Sequence, residues 1–190
     1  MQRRAVMMTI ATAGATLALA ACTTNKGASA TPDEKRAGIN KGVDATLAQL
    51  YSSVPGSREL VAKSRGVLVF PSVIEAAFGL GGEYGEGALR VNGATVGYFS
   101  TAAASFGFQA GAQSKALIYL FMTEEALNKF RNSNGWTVGA DASVSLIKLG
   151  ANGTIDSSSV SNSVNAFALT NAGLFGGINL NGSKISKKDL

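Results

Sequence analysis

The chain has 190 residues, 46% hydrophobic and 15% charged, with a formal charge of +5, 23 Gly, one Cys and no His. Without His there is no Ser-His-Asp triad, no Cys-His pair and no His-ligated metal, and a single Cys excludes an intrachain disulfide or a cysteine cluster. Low charge with a high apolar fraction excludes a chain disordered throughout.

Residues 1–22 open with Arg3 and Arg4, continue through an apolar stretch from Ala5 and end Leu19-Ala20-Ala21-Cys22. The stretch falls short of the ~20 strongly apolar residues of a spanning helix, so residues 1–21 read as a secretory leader. Leu-Ala-Ala-Cys resembles the bacterial lipobox, which implies cleavage before Cys22 and a diacylglyceryl group on its thiol. Acyl chains contribute ~0.8 kcal/mol per buried methylene, so two or more hold a protein on a bilayer. Thr23 stands where an Asp would retain such a protein at the inner membrane. The expected location is therefore the bacterial cell envelope, at the periplasmic face of the outer membrane. Removing Arg3 and Arg4 from the 17 basic residues leaves 15 against 12 acids, a net +3, which is no nucleic-acid signal.

Residues 22–30 are small and polar and read as an acylated, flexible tether to a domain over 31–190. Thr31-Pro32-Asp33-Glu34 is a capping box with Pro at the first helical position. Ile39, Val43, Leu47 and Leu50 then form one apolar stripe, and Ser52 to Pro55 ends the helix. The helix either lies on anionic lipid through Lys35, Arg36 and Lys41 or packs on its own domain. Residues 57–64 predict a second, short helix capped by Ser57.

Beyond Arg65 the texture changes. Val67 to Phe70 and Leu117 to Met122 are continuously apolar, as in strands buried on both faces. Asn92-Gly93 between Arg90-Val91 and Ala94 to Phe99 is a two-residue hairpin signal. Thr123 to Glu125 opens a short helix that buries Leu127 and Phe130. Regular alternation from Trp136 to Leu146 predicts one long strand, Gly150 to Ser159 a polar loop, and Val164–Leu169 and Gly173–Leu180 two more strands. The expected fold class is α+β: N-terminal helices packed on a strongly curved, mainly antiparallel sheet or partly closed barrel, with one inserted helix.

Several motifs in order resemble the SYLF domain family. They are Arg65 to Pro71, Gly79 to Gly87, Gly97 to Ser100, Ser105 to Gln113, and the Phe-x-x-Ser-x-Gly-Trp segment from Phe130 to Trp136. The resemblance runs over roughly residues 35–188. It implies a lipid-binding domain that takes phosphoinositides and phosphatidic acid in eukaryotic actin-patch and endocytic proteins, helped by a basic amphipathic N-terminal segment. Bacterial members resemble this chain in being secreted lipoproteins. Lys35, Arg36 and Lys41 match the basic segment only in part, so anionic phospholipid in general is the expected ligand.

The Gly-rich run Gly79–Gly87 lacks the Walker pattern, fails the dinucleotide pattern at Tyr84 and carries Glu83 and Glu86, which repel phosphate. It reads as a tight turn or bulge. Glu83 and Glu86 are an acid/base pair, a divalent-cation site, or partners of backbone or Arg groups; their spacing alone fixes no distance. Gln109 and Gln113 either line a polar cavity for a lipid head group or cross-link strands as buried amides. Lys35, Arg36, Lys41, Lys63, Arg65, Lys184, Lys187 and Lys188 lie near the ends of the domain and form one lipid-binding patch if those ends meet. No nucleophile–base pair occurs, so the reading is a binding module rather than an enzyme, with no cofactor and no metal. Its partner is a phospholipid membrane. The alternatives are an envelope scaffold that binds a protein or peptidoglycan, and a carboxylate-dependent hydrolase.

Overall fold

A computed structural model describes residues 30–190, apart from the side chains of residues 77–80 and 105–112. The leader, Cys22, the tether through Ser29 and the Gln109 side chain lie outside the described residues. Helix α1 (Pro32–Ser53) starts where the capping box puts it. Thr31 Oγ1 accepts from the Glu34 amide at 3.3 Å, and Glu34 Oε2 accepts from the Thr31 amide at 2.8 Å. Val43 and Leu50 on the stripe are fully buried, and Ile39 and Leu47 are half-buried. Gly42 lets the helix approach closely, because a Cβ there would lie 3.0 Å from the Pro71 ring.

Helix α2 (Ser57–Lys63) follows a left-handed Gly56 at φ +82°. Ser57 is not its cap. The Ser57 hydroxyl is buried and donates to the Leu50 carbonyl at 3.1 Å, tying α2 to the end of α1.

Strands β1 (Gly66–Val91) and β2 (Ala94–Phe121) form one long antiparallel ribbon, far beyond the usual 3–10 residues per strand. Asn92 at φ +50° and Gly93 at φ +80° make its tight turn, as the Asn-Gly signal predicts. Of the turn or bulge expected at Gly79–Gly87, no turn forms: the segment continues β1, entered through a register shift at Ala77/Gly79. Two of its glycines serve close approach. A Cβ on Gly85 would lie 2.8 Å from the Ser72 carbonyl oxygen, and one on Gly87 would overlap the Val69 carbonyl. The second half of β1 therefore crosses its own first half. The ribbon bends with the help of register shifts at Phe70/Val73, Ala77/Gly79 and Leu89/Arg90. Pro71 sits in the first of these, where a strand tolerates it.

Helix α3 (Glu124–Arg131) buries Leu127 and Phe130. The alternation after it does not give one strand. It breaks into β3 (Trp136–Thr137) and β4 (Val144–Leu146) around Gly139 at φ +88°. The Asp141 carboxylate accepts from the Thr137 amide at 2.6 Å and closes that turn, which period-2 patterning cannot register. After a 3-10 turn at Ser157–Ser159, β5 (Val164–Thr170) is buried as expected. The predicted strand from Gly173 shrinks to β6 (Gly173–Leu174). An unpredicted β7 (Lys184–Lys188) pairs with both β2 and β3.

The seven-stranded sheet has the order β3-β7-β2-β5-β4, with β1 on β2 and β6 on β5. Only β4–β5 is parallel among these pairs. The fold is α+β, with helices N-terminal to a strongly curled sheet that makes a half-barrel. Apolar side chains fill both faces of that sheet. Leu68, Phe70, Tyr119, Phe121, Phe130 and Trp136 pack inside the curl. Val67, Val69, Ile118, Leu120 and Phe167 pack outside it, under α1. Each fully buried side chain of this size contributes ~1.5–3 kcal/mol, which is why these runs are apolar at every position.

Candidate functional site

The return of the ribbon brings the end of β1 back to its start. A Cβ on Gly66 would lie 3.6 Å from the Arg90 carbonyl oxygen. A cleft of about 330 Å³ opens there between the second half of α1, the end of α2 and the Asn92-Gly93 turn. Leu47, Tyr51, Val61 and Val67 give it an apolar wall. Asp44, Arg65 and Arg90 supply its charges, so the lining carries one net positive charge.

Arg90 is held firmly. Its Nη2 donates to Asp44 Oδ1 at 2.9 Å and its Nη1 donates to the Gly93 carbonyl at 3.1 Å. Its buried Nε has no acceptor among the described residues. A charged donor in that position is costly until an acceptor reaches it. Arg65 is different: its side chain is 59% exposed, and its contact to Glu124 is 3.8 Å, a weak, solvent-screened pair. Arg58 lies at the rim with its guanidinium 4.3 Å from the centre of the Tyr51 ring. Burial pushes the Tyr51 phenol above its ordinary value, and the Arg58 charge pulls the other way.

Three other clefts differ in charge. One is lined without ionisable groups, one balances Lys148 against Asp156, and one sets Lys129 against Glu125 and Asp141. Only the Arg65–Arg90 cleft among these four is net positive.

The basic residues flagged in the sequence scatter around this frame. Lys63 and Arg65 flank the α2–β1 junction at the cleft. Arg36 is engaged with Asp33 at 2.9 Å. Lys41 is exposed on α1. The two ends of the domain do meet, since Lys35 and Lys188 both act on Glu86. Lys188, however, hydrogen-bonds Glu86 and Tyr84. Alternation on β7 puts Lys184 and Lys188 on one face and Lys187 on the other. Gln113 is exposed opposite Glu75, neither buried nor in a cavity. Sequence reasoning missed Arg58, Tyr51 and Arg90, although Arg90 stands just before the one clear hairpin signal.

Glu83 and Glu86 are three apart on a strand, so they occupy opposite faces and form no carboxylate pair. Glu83 Oε1 accepts from Lys115 at 2.7 Å, and Glu75 Oε2 accepts from the same ammonium at 3.4 Å. Among the described residues no three His, Cys, Asp or Glu come together as a metal site would need.

The hydrogen bond from Lys188, seconded by Tyr84, holds the Glu86 carboxyl below its ordinary 4.5, against a desolvation that would raise it. The same contact raises Lys188 above its ordinary 10.5. The carboxylate's contribution is present above its unfolded value and lost as pH falls through its lower folded value. The ammonium's contribution is lost as pH rises through its raised folded value. Glu86→Gln should therefore remove part of the acid-side loss of stability, by about 0.5 kcal/mol given the solvent around the pair. Urea midpoints at pH 7 and pH 3 check this: the two proteins should differ at pH 7 and converge at pH 3.

Residues 102–189 match the family model described as Ysc84: Las17-binding protein actin regulator. No curated protein matches the chain. The matched stretch holds part of β2 and every element after it. All the lining residues of the Arg65–Arg90 cleft precede it.

Proposed function

We propose that this chain, which carries a SYLF (Ysc84) domain, binds anionic phospholipid head groups while an acylated Cys22 tethers it to a bilayer. The family is associated with lipid and actin-related binding, and its domain is a binding domain rather than a known enzyme type. The actin and Las17 of the family's description belong to other members. A lipoprotein at the periplasmic face of the outer membrane meets neither.

One observation carries the lipid reading. Lys41, Arg58 and Lys63 are exposed on α1 and α2, with no carboxylate partner among the described residues. These two helices are the elements nearest the tether in the chain. Eight residues, 23–30, reach at most about 28 Å when fully extended. An anchor at Cys22 therefore keeps α1 beside the lipid surface, where each exposed cation contributes about 1 kcal/mol.

The test is sedimentation of the full chain carrying Cys22→Ser with vesicles. Phosphatidylglycerol vesicles should bring it down, phosphatidylcholine vesicles should not, and added salt should release it. Equal binding to both vesicle types, or to neither, overturns the head-group reading. Mass spectrometry of the native chain tests the tether separately. A diacylglyceryl-modified N-terminal Cys22 supports it, and an intact Met1 or a bare thiol overturns it.

A further inference from the structure

We infer that the Arg65–Arg90 cleft is a discrete site for one phosphodiester head group together with the first methylenes of its acyl chain. This deepens the phospholipid reading above and rests on it. A flat basic surface would recruit lipid by charge alone. This cleft adds shape and an apolar wall.

Three features converge on that ligand class. The first is the pair of guanidinium groups. Asp44 and the Gly93 carbonyl fix Arg90 in the cleft wall. Arg65, 59% exposed and held only by a 3.8 Å contact to Glu124, offers its remaining donors to a phosphate in the forked geometry that guanidinium groups favour. The second feature is the wall of Leu47, Tyr51 and Val61, which gives free phosphate nothing but suits methylenes. The third is Asp44. It leaves the lining with one net positive charge, matching a monoanionic diester and disfavouring a dianionic phosphate. A volume of about 330 Å³ sits at the small end of ligand sites, enough for a head group and not for a whole lipid.

The experiment is calorimetric titration of the full chain carrying Cys22→Ser with dihexanoyl-phosphatidylglycerol below its micelle concentration, and separately with inorganic phosphate. The lipid should bind, and phosphate should compete only at far higher concentration. Arg65→Ala should weaken lipid binding about tenfold, the scale of one lost charge-assisted hydrogen bond, and Arg65→Lys should restore part of it. Lys148→Ala, exposed in a different cleft beside Asp156, should bind as the parent does. Arg65→Ala binding like the parent overturns the cleft, as does phosphate that competes as well as the lipid. A parent that sediments with vesicles yet ignores the short-chain lipid also overturns the cleft, and leaves the surface reading standing. A parent that neither sediments with vesicles nor binds the short-chain lipid overturns both.

Discussion

Gly87→Ala is expected to cost about 3 kcal/mol or more of folding stability, near the top of the range for a single overpacked methyl. The new Cβ would overlap the Val69 carbonyl oxygen and lie 2.7 Å from Phe70 Cδ1. Val69 and Phe70 are both fully buried, so neither can swing aside. The two halves of β1 would have to part at their crossing, straining the pairing of Gly87 with Phe99. The phi angle is not the cause, since Gly87 is not among the left-handed glycines. Gly38→Ala in α1 is the internal control. Nothing lies within 4 Å of a Cβ there, and a helical Gly→Ala change should gain about 0.5–1 kcal/mol. Urea midpoints of the two variants should move in opposite directions. A Gly87→Ala midpoint at the parental value would mean that the crossing is looser than described.

Lys115→Met is expected to cost about 2–4 kcal/mol at neutral pH, within the range for one lost partner of a largely buried ion pair. The Lys115 side chain is only 10% exposed and serves both Glu83 and Glu75, of which Glu83 is 14% exposed. Removing the ammonium leaves two carboxylates facing each other over a poorly solvated surface. Beneath them the Tyr119 hydroxyl is buried without a hydrogen-bond partner among the described residues. Burial first, and the Glu83 charge second, push that phenol well above its ordinary value. The deficit should shrink when Glu83→Gln is added, because a neutral amide needs no counter-charge. Melting curves of the single and double variants read this directly. A deficit that Glu83→Gln leaves unchanged would assign the loss to packing of the Lys115 stem instead of its charge.

Local chemistry made much of the fold legible. The Thr31 capping box, the Asn92-Gly93 turn and the acids opening α3 are signals that act within a few residues, and each element appears where its signal lies. The doubly buried runs at Val67–Phe70 and Leu117–Phe121 were legible for the same reason: hydrophobicity at every position has few other meanings. What stayed hidden depends on distant partners. Gly79–Gly87 reads as a turn or bulge because five glycines favour one, and the crossing of β1 over itself is what requires two of them, Gly85 and Gly87, in an extended strand. Lys184–Lys188 holds a single apolar side chain, Ile185, and becomes a strand because β2 and β3 offer it ladders on both sides. The site follows the same rule. Arg65 could be singled out by its neighbourhood in sequence. Arg90 joins it through the return of the ribbon, and Arg58 through the stacking of α2 on Tyr51. Grouping cations by their nearness to the domain's ends found some members and missed those.

The position of β7 also governs the timing of folding. β3 is made well before β7, yet its ladder partner is β7, so Trp136 has no neighbouring strand until that later segment has been synthesised. Until then the Tyr98–Ala102 edge of β2 stays open as well. Such long-range pairing forms slowly, and an open edge invites association with other chains. Late closure keeps the nascent chain pliable, and it places the period of greatest aggregation risk before Lys184–Lys188 is available to cover that edge.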